Sequence, residues 1–279
     1  MHECANVISG IVALCAQHLQ STMDLAQLAQ VESLCHALFL GTSAVQRAEA
    51  QQQLLTLQSS AEYIPQCQYI LDNSTQPYAQ LMASTSLETL VTQFWNNFTI
   101  EQKLEIRNYL LNYLAAQAPT LQDFVVGSLT KLLCRVTKLG WFDSPEHREI
   151  IEEITKFLEA TIDHKIIGFK LLNALVDEMN TPTTGRTLTI HRKTAVSFRD
   201  LALYQIFQIS LSTLHQLQSR TLGNLTVEQD SKMAGLALNL SAACISFDFI
   251  GTNPEESAED AGTVQVIYGI NRNSVRYKR

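Results

Sequence analysis

The sequence is poor in the residues that build many tight turns. Its 279 residues include only 11 glycines and 6 prolines, which argues against an all-β protein. Long apolar runs are also missing. The run from Val7 to Ala16 is far shorter than the roughly 20 residues that cross a bilayer. It follows His2 and Glu3, whereas a secretory signal peptide begins with positive charge. We therefore expect neither membrane insertion nor a signal peptide.

Positive charge is in short supply as well. Lysine and arginine number 20 against 27 aspartates and glutamates, which gives a net charge of −7. Because binding to phosphates requires clustered lysine and arginine, nucleic acid is not an expected partner. Hydrophobic residues make up 46% of the chain and charged residues 17%, so the chain is neither disordered nor fibrous. A protein partner, basic in character, suits this balance better.

Chemistry-bearing motifs are missing too. The cysteines show no CxxC pairs and no zinc-ligand spacing: Cys4, Cys15, Cys35, Cys67, Cys134 and Cys244. Most lie in apolar helical runs, which is typical of buried, reduced thiols and indicates a reducing compartment. None of the seven histidines belongs to HExxH, and the sequence contains no GxSxG, P-loop or GxGxxG motif after a strand. We predict no catalytic residue, no metal site, no cofactor and no enzymatic activity.

Helical periodicity is what the sequence has in abundance. Apolar residues within Ile150–Leu158 recur at the i, i+3, i+4, i+7 spacing that places them on one helix face. Signals for helix starts accompany the periodic segments. Thr99 with Gln102, and Thr226 with Gln229, have the spacing of a capping box.

These signals predict ten helices in five antiparallel pairs: 25–40 with 44–59, 62–72 with 77–94, 100–117 with 121–139, 145–160 with 163–180, and 198–218 with 226–248. First helices recur about every 38 to 50 residues, which is the period of HEAT-like hairpins. Such hairpins stack because none can bury its apolar face alone. The predicted fold is all-α, a right-handed α-α superhelix of about five HEAT-like pairs. Strand-like alternation occurs only in the tail, from Val264 to Ile270.

One stretch, TKLGWFDSPEHR (Thr137–Arg148), is dense in chemically able side chains. Gly140 follows the last periodic residue, where a left-handed helix cap requires no Cβ. Asp143 or Ser144 is expected to cap the next helix, which Pro145 opens. We interpret the stretch as a joint between two helices and not as a site.

Polar stripes run along the second helices of several pairs. Their members are three or four residues apart and therefore share one helix face: Ser128, Lys131, Arg135 and Lys138; Lys170, Asn173, Asp177 and Asn180; Gln80, Ser84 and Glu88. In a curved solenoid one set of helices lines the concave surface, which is the usual binding face. A solvated exterior explains the spacing equally well.

Two charged segments lie in the second half of the chain. HRKTAVSFRD (His191–Asp200) is basic, follows a polar loop at 180–189 and leads into an apolar helix. Positive charge near a helix start opposes the helix dipole, so an acidic partner is one interpretation. NPEESAEDAG (Asn253–Gly262) contains no apolar residue larger than alanine. Disorder is its ordinary interpretation, and an autoinhibitory contact with a basic partner patch is the alternative.

Five segments with consistent order and spacing carry a family resemblance: YAQLMASTSLETLV (78–91), IRNYLLNYLAAQ (106–117), RVTKLGWF (135–142), HRKTAVSFRD (191–200) and SFDFIGTNPEESAEDAGTVQV (246–266). They resemble the amino-terminal part of the exportin-7 family, with Ran-binding proteins 16 and 17, in the importin-β superfamily. The likeness runs from about Met23 to Val266. It implies these divisions: a divergent extension at 1–22, a HEAT-like solenoid at 23–250 with an importin-β amino-terminal-like region at about 44–117, an acidic loop at 251–263 and a divergent tail at 264–279.

The resemblance implies a non-enzymatic nuclear transport receptor that binds the GTP form of Ran, carries protein cargo and meets nucleoporins. It would shuttle between nucleus and cytoplasm through the nuclear pore. The Ran contact of this superfamily lies on the inner face of the first few second helices. Carried over to this sequence, the residues are Gln52, Gln80, Ser84, Glu88, Lys131, Arg135 and Lys138. Two alternatives stay open: a HEAT-repeat scaffold indifferent to nucleotide state, and an inert truncated fragment.

Overall fold

A computed structural model describes residues 23–247. The predicted extension at 1–22, acidic loop at 251–263 and tail at 264–279 lie outside the described residues. Within residues 23–247 the structure contains helices and no strand, which confirms an all-α fold of HEAT-like hairpins. The chain forms two compact units that divide between Phe94 and Trp95.

Within residues 23–94, the first unit contains four α-helices: α1 Leu25–Leu40, α2 Ala44–Leu54, α3 Ile64–Asn73 and α4 Pro77–Phe94. Helix α1 begins with a capping box. The Asp24 carboxylate accepts a hydrogen bond from the Gln27 amide at 2.7 Å, and the Gln27 side chain accepts one from the Asp24 amide at 2.9 Å. Helix α1 packs on α2 and α4, and α3 packs on α4. The hairpins thus share one apolar core, in which Cys35, Ile70 and Leu90 are buried.

The second unit contains seven helices in its described part: α5 Ile100–Gln117, α6 Asp123–Leu139, α7 Ile150–Glu159, α8 Ile162–Asn180, α9 Leu188–Phe198, α10 Tyr204–Gln218 and α11 Val227–Ile245. The capping boxes predicted at Thr99 and Thr226 are both present. Second helices of successive pairs lie side by side, because α6 packs on α8 and α8 packs on α11. This neighbour-to-neighbour packing is the arrangement expected of stacked hairpins.

Helix α9 differs most from its prediction, while α7 begins at Ile150 instead of at the predicted residue 145. The polar loop predicted at 180–189 is shorter, and α9 starts at Leu188, ten residues before the predicted start at 198. Thr187 caps α9 by accepting a hydrogen bond from the Ile190 amide at 3.4 Å. A π-turn at Arg199–Leu203 joins α9 to α10. The basic segment His191–Asp200 therefore lies mostly within a helix.

No helix among residues 23–247 combines the length and apolar character that a membrane crossing demands.

Candidate partner-binding surface

Four of the predicted contact residues belong to the first unit. Gln52 is exposed on α2 and Glu88 is half-buried on α4. Gln80 is buried, and its side-chain amide donates a hydrogen bond to the Ser74 carbonyl at 2.8 Å. Ser84 is fully buried, and its hydroxyl donates to the Leu81 carbonyl at 2.9 Å. The expectation of an accessible polar stripe is therefore wrong at Gln80 and Ser84, because both side chains serve the helix packing.

The other three predicted residues lie on α6 in the second unit, and their exposure falls along the helix. Lys131 is exposed, Arg135 is half-buried and Lys138 is buried. The shared helix face that the spacing predicts is present, but its carboxyl-terminal end meets α8 instead of solvent. The reason is Glu178, a buried carboxylate near the end of α8.

Arg135 and Glu178 form a bidentate ion pair. The Arg135 Nε atom lies 2.6 Å from Glu178 Oε1, and Nη2 lies 3.1 Å from Oε2. The Arg135 side chain is 14% exposed and that of Glu178 is 6% exposed. Fork-to-fork geometry of this kind is among the stronger side-chain interactions, because both oxygens accept charge-assisted hydrogen bonds. Two of the five N–H donors of Arg135 are thus directed at α8.

Lys138 holds the carboxyl-terminal end of α8. Its Nζ atom donates to the Glu178 carbonyl at 2.6 Å and to the Thr181 carbonyl, and lies 3.8 Å from Glu178 Oε1. A cation placed against the last carbonyls of a helix is favoured by the helix dipole. Burial lowers the pKa of Lys138 to about 8, while Glu178 opposes that shift. The expectation that Lys138 faces a partner is therefore wrong, because its amine is used within the unit.

Glu178 is the residue that sequence reasoning missed. The polar stripe on its helix was drawn through Asp177 and Asn180, which flank it. A signal was nevertheless present, since two cations three residues apart beside an apolar seam require a carboxylate partner if they are buried. Spacing alone does not say which neighbouring helix supplies that carboxylate.

The stretch 137–148 joins α6 to α7, as predicted. Of its two acidic residues, Asp143 binds partners other than the expected helix start. Asp143 Oδ2 accepts hydrogen bonds from the Trp95 indole at 2.9 Å and from Lys103 Nζ at 2.8 Å. Ser144 is the cap residue of a short 3-10 turn, Pro145–His147, but makes no side-chain cap hydrogen bond. Neither side chain forms the predicted cap hydrogen bond, and Asp143 instead anchors the joint to Lys103 of α5.

Gly140 is required for a different reason than the one predicted. Its φ of −87° is not left-handed. A Cβ at this position would lie 2.3 Å from His147 Nε2, so the glycine makes room for the imidazole. His147 is fully buried and contacts the Trp95 ring edge-on at 6.0 Å. Burial, followed by repulsion from Arg107, lowers the pKa of His147 to about 4.

The four described cysteines are all buried and reduced. Burial raises the pKa of Cys35, Cys67 and Cys244 to about 12. Burial also raises the pKa of Cys134 well above its usual range. Since the thiolate is the reactive form, these side chains act as small apolar residues, as the sequence predicted. Cys4 and Cys15 lie outside the described residues.

Comparison with known proteins identifies the family. The Importin-beta N-terminal domain model matches residues 50–116. Over 255 residues, which is 90% of this chain, the sequence is 42% identical to Ran-binding protein 17 of Mus musculus. It is 40% identical over 243 residues to Exportin-7-A of Xenopus laevis, covering 86% of this chain. The chain belongs to the importin-β superfamily.

Within the importin-β superfamily, this chain is similar to exportin-7 and Ran-binding proteins 16 and 17, so the resemblance is confirmed. The sequence is also 37% identical over 253 residues, or 88% of this chain, to Ran-binding protein 16 of Drosophila melanogaster. The chain spans less than a quarter of these relatives, 23% of Ran-binding protein 17 and 22% of Exportin-7-A and Ran-binding protein 16. The relatives that it matches are named exportins and Ran-binding proteins.

Proposed function

We propose that this chain is the amino-terminal part of a nuclear export receptor and that it binds the GTP form of Ran. The observation that carries the proposal is the 42% identity, over 90% of the chain, to a protein named Ran-binding protein 17. The match of residues 50–116 to the Importin-beta N-terminal domain supports it. The whole receptor would carry protein cargo past nucleoporins, shuttling between nucleus and cytoplasm through the nuclear pore. The chain would bind without catalysis and without a cofactor.

The proposed contact with Ran includes fewer residues than the resemblance implies. Gln80, Ser84 and Lys138 are buried, so they support the helices and do not touch the partner. Gln52, Glu88 and Lys131 have accessible side chains, and Arg135 lies half-buried beside Lys131. Within the second unit, Lys131 is thus the cation best placed for a direct contact. A cation there would mainly raise the association rate with an acidic surface and give specificity.

The nucleotide state of Ran provides the test. We would measure binding of the full chain to Ran loaded with a non-hydrolysable GTP analogue and to Ran loaded with GDP. The proposal predicts at least tenfold tighter binding of the GTP form. Equal binding of both forms would overturn it in favour of a nucleotide-independent scaffold. Absence of binding to either form would indicate a fragment inert towards Ran.

A charge reversal tests the contact surface. Lys131→Glu is expected to weaken binding of the GTP form about tenfold, which corresponds to about 1.4 kcal/mol. Lys156→Glu is the matched control, because Lys156 lies on α7 with its side chain 69% exposed and pairs only locally with Glu153. If both variants weaken binding equally, general electrostatic attraction explains the effect and the α6 contact is wrong. Thermal unfolding of each variant checks that the fold is intact.

A further inference from the structure

Asp123, the first residue of α6, contacts lysines from two other helices. Lys170 Nζ of α8 donates a hydrogen bond to Asp123 Oδ1 at 3.1 Å, and Lys232 Nζ of α11 donates one to Asp123 Oδ2 at 3.2 Å. These hydrogen bonds, the one from Lys170 above all, hold the pKa of Asp123 below its ordinary value. One carboxylate therefore joins the second helices of three successive pairs. We name the contact between Asp123 and Lys232 the clasp.

The clasp crosses the middle helix of this layer. Helices α6 and α11 each pack on α8, so the contact between Asp123 and Lys232 spans the width of α8. It lies on the solvent side of the layer, because the side chain of Asp123 is 72% exposed and that of Lys232 is 39% exposed. If α11 tilts away from α6 on this side, the distance between these two side chains grows. The clasp therefore opposes such a movement.

Helices α6 and α8 form the fixed part of the layer. Arg135 of α6 binds Glu178 of α8 through two hydrogen bonds, and both side chains are at most 14% exposed. Within residues 23–247, the side-chain hydrogen bonds between α11 and these two helices are the clasp and the one that Asn173 donates to the Leu236 carbonyl at 3.1 Å. Salt screens buried charges far less than exposed ones. Of the three helices, α11 is therefore the one that salt can loosen.

A second carboxylate is available to Lys232 within its own helix. Glu228 precedes Lys232 by four residues and is exposed. Glutamate and lysine in this order and spacing attract each other on a helix surface. Among the ion pairs of the described residues, Lys232 is paired with Asp123 and not with Glu228. Release from Asp123 would thus exchange one exposed ion pair for another, so the two arrangements differ little in free energy.

We propose that the clasp opens and closes with salt and, when closed, holds α11 close to α6 on the exposed side of the layer. In the open state Lys232 pairs with Glu228, and α11 tilts away from α6 while its apolar face stays packed on α8. Exposed ion pairs are weak, and salt screens them over about 10 Å at 0.1 M, so both states are populated. The second unit thus has an adjustable surface across α6, α8 and α11. This inference does not depend on Ran binding.

The distance between α6 and α11 tests the clasp. Gly127→Cys on α6 and Ser231→Cys on α11 place spin labels at exposed positions of the full chain, and nothing lies within 4 Å of a Cβ added to Gly127. Cys4 and Cys15 are replaced by serine, whereas the described cysteines are buried. Pulsed electron paramagnetic resonance then gives the distance distribution. We expect the longer-distance population to be about twofold to fivefold larger in 1 M NaCl than in 50 mM NaCl.

Three variants separate the clasp from a general effect of charge. K232Q removes the clasp, so at 50 mM NaCl it should show the longer-distance population that the parent shows at 1 M NaCl. E228Q removes the partner of the open state, so the response to salt should fall by about half. K156Q is the matched control, because it breaks the exposed pair between Lys156 and Glu153 on α7 and should leave the distribution unchanged.

The variants also provide the results that would overturn the proposal. A K232Q distribution identical to that of the parent would do so, and so would equal widening in K156Q. Circular dichroism checks that the helices of each labelled protein are intact. Should K232Q lose helix, the salt titration of the parent decides alone, and equal distributions at 50 mM and 1 M NaCl would refute the clasp.

Discussion

Arg135 of α6 and Glu178 of α8 are joined by two hydrogen bonds, at 2.6 Å and 3.1 Å. The same carboxylate lies 3.8 Å from Lys138 Nζ. One buried acid on the second helix of one pair therefore serves two cations on the second helix of the preceding pair. Because the bidentate geometry requires both side chains to be in place, this contact helps to fix how α6 and α8 are aligned.

A double-mutant cycle on this pair should show strong coupling. Glu178→Gln is expected to lower the free energy of unfolding by about 3–5 kcal/mol, because two cations lose a buried counter-ion. Arg135→Gln should lower the free energy of unfolding by less, because the Arg135 side chain is partly exposed. We expect a coupling energy of about 1–3 kcal/mol between the two changes. Urea unfolding of the four proteins measures it, and additive effects would show that the pair is energetically unimportant.

Lys138 should contribute to the stability of the fold, although lysine side chains are mostly exposed and contribute little. Lys138→Met keeps much of the side-chain volume but removes the donor for two main-chain carbonyls at the end of α8. We expect a loss of about 2–3 kcal/mol in the free energy of unfolding. The control is Lys131→Met, about two turns earlier on the same face of α6 and exposed. This change should alter the free energy of unfolding by no more than about 0.5 kcal/mol. Similar effects of the two variants would contradict the structural role of Lys138.

Gly140 should tolerate no side chain. Gly140→Ala places a Cβ 2.3 Å from the buried His147 ring, and overpacking of this kind costs about 1–3 kcal/mol. Gly127→Ala is the matched control in α6, because nothing lies within 4 Å of its added Cβ. That change should stabilise the helix by about 0.5–1 kcal/mol. Combining Gly140→Ala with His147→Ala should relieve the clash, and a full additive penalty would argue against it.

His147 should make the fold sensitive to mild acid. Burial lowers its pKa to about 4 from an ordinary value of 6.5. As pH falls from 6.5 towards 4, the unfolded chain takes up a proton here while the folded chain does not. Stability at this position is therefore present above pH 6.5 and is lost as pH falls. Arg107 and Lys103 disfavour the charged ring, while Asp143 and Glu146 favour it.

Unfolding in urea at pH 7 and at pH 5 measures this effect. Wild type should lose about 2 kcal/mol more than His147→Gln between these values, because only the wild type titrates at position 147. The comparison cancels the contribution of carboxylates common to both proteins. Parallel pH profiles of wild type and variant would show that His147 is accommodated in its charged form.

Most helices could be predicted from the sequence, because their capping residues and apolar faces agree with how they pack in the structure. The capping boxes at Thr99 and Thr226 and the apolar face of Ile150–Leu158 identify their helices correctly. Helix α9 was missed because the predicted helix began at 198, after a basic segment whose charges oppose the dipole of a helix that starts there. In the structure Thr187 caps that helix, and its buried face is supplied by residues such as Phe198.

The candidate surface was less predictable than the fold. Residue spacing shows that Lys131, Arg135 and Lys138 share one helix face. It does not show where that face leaves solvent, which depends on the position of Glu178, 40 residues beyond Lys138. Gln80 and Ser84 differ from this case, because the nearby carbonyls of Ser74 and Leu81 accept their hydrogen bonds and let both side chains be buried. Long-range partners of polar side chains therefore limit prediction from one sequence.

The π-turn at Arg199–Leu203 affects the direction in which the side chains of the basic segment His191–Asp200 point. A π-turn accommodates one residue more than an α-helical turn, and one residue corresponds to about 100° of rotation around a helix axis. The side chains of α9 are therefore rotated relative to those of α10, compared with their positions in a continuous α-helix. The half before the turn directs Lys193 to Phe142, and the half after it packs on α11. Deletion of one residue here would rotate α9 relative to α10 by about 100°. The contact of Lys193 with Phe142 and the packing of α10 on α11 could then not be kept together.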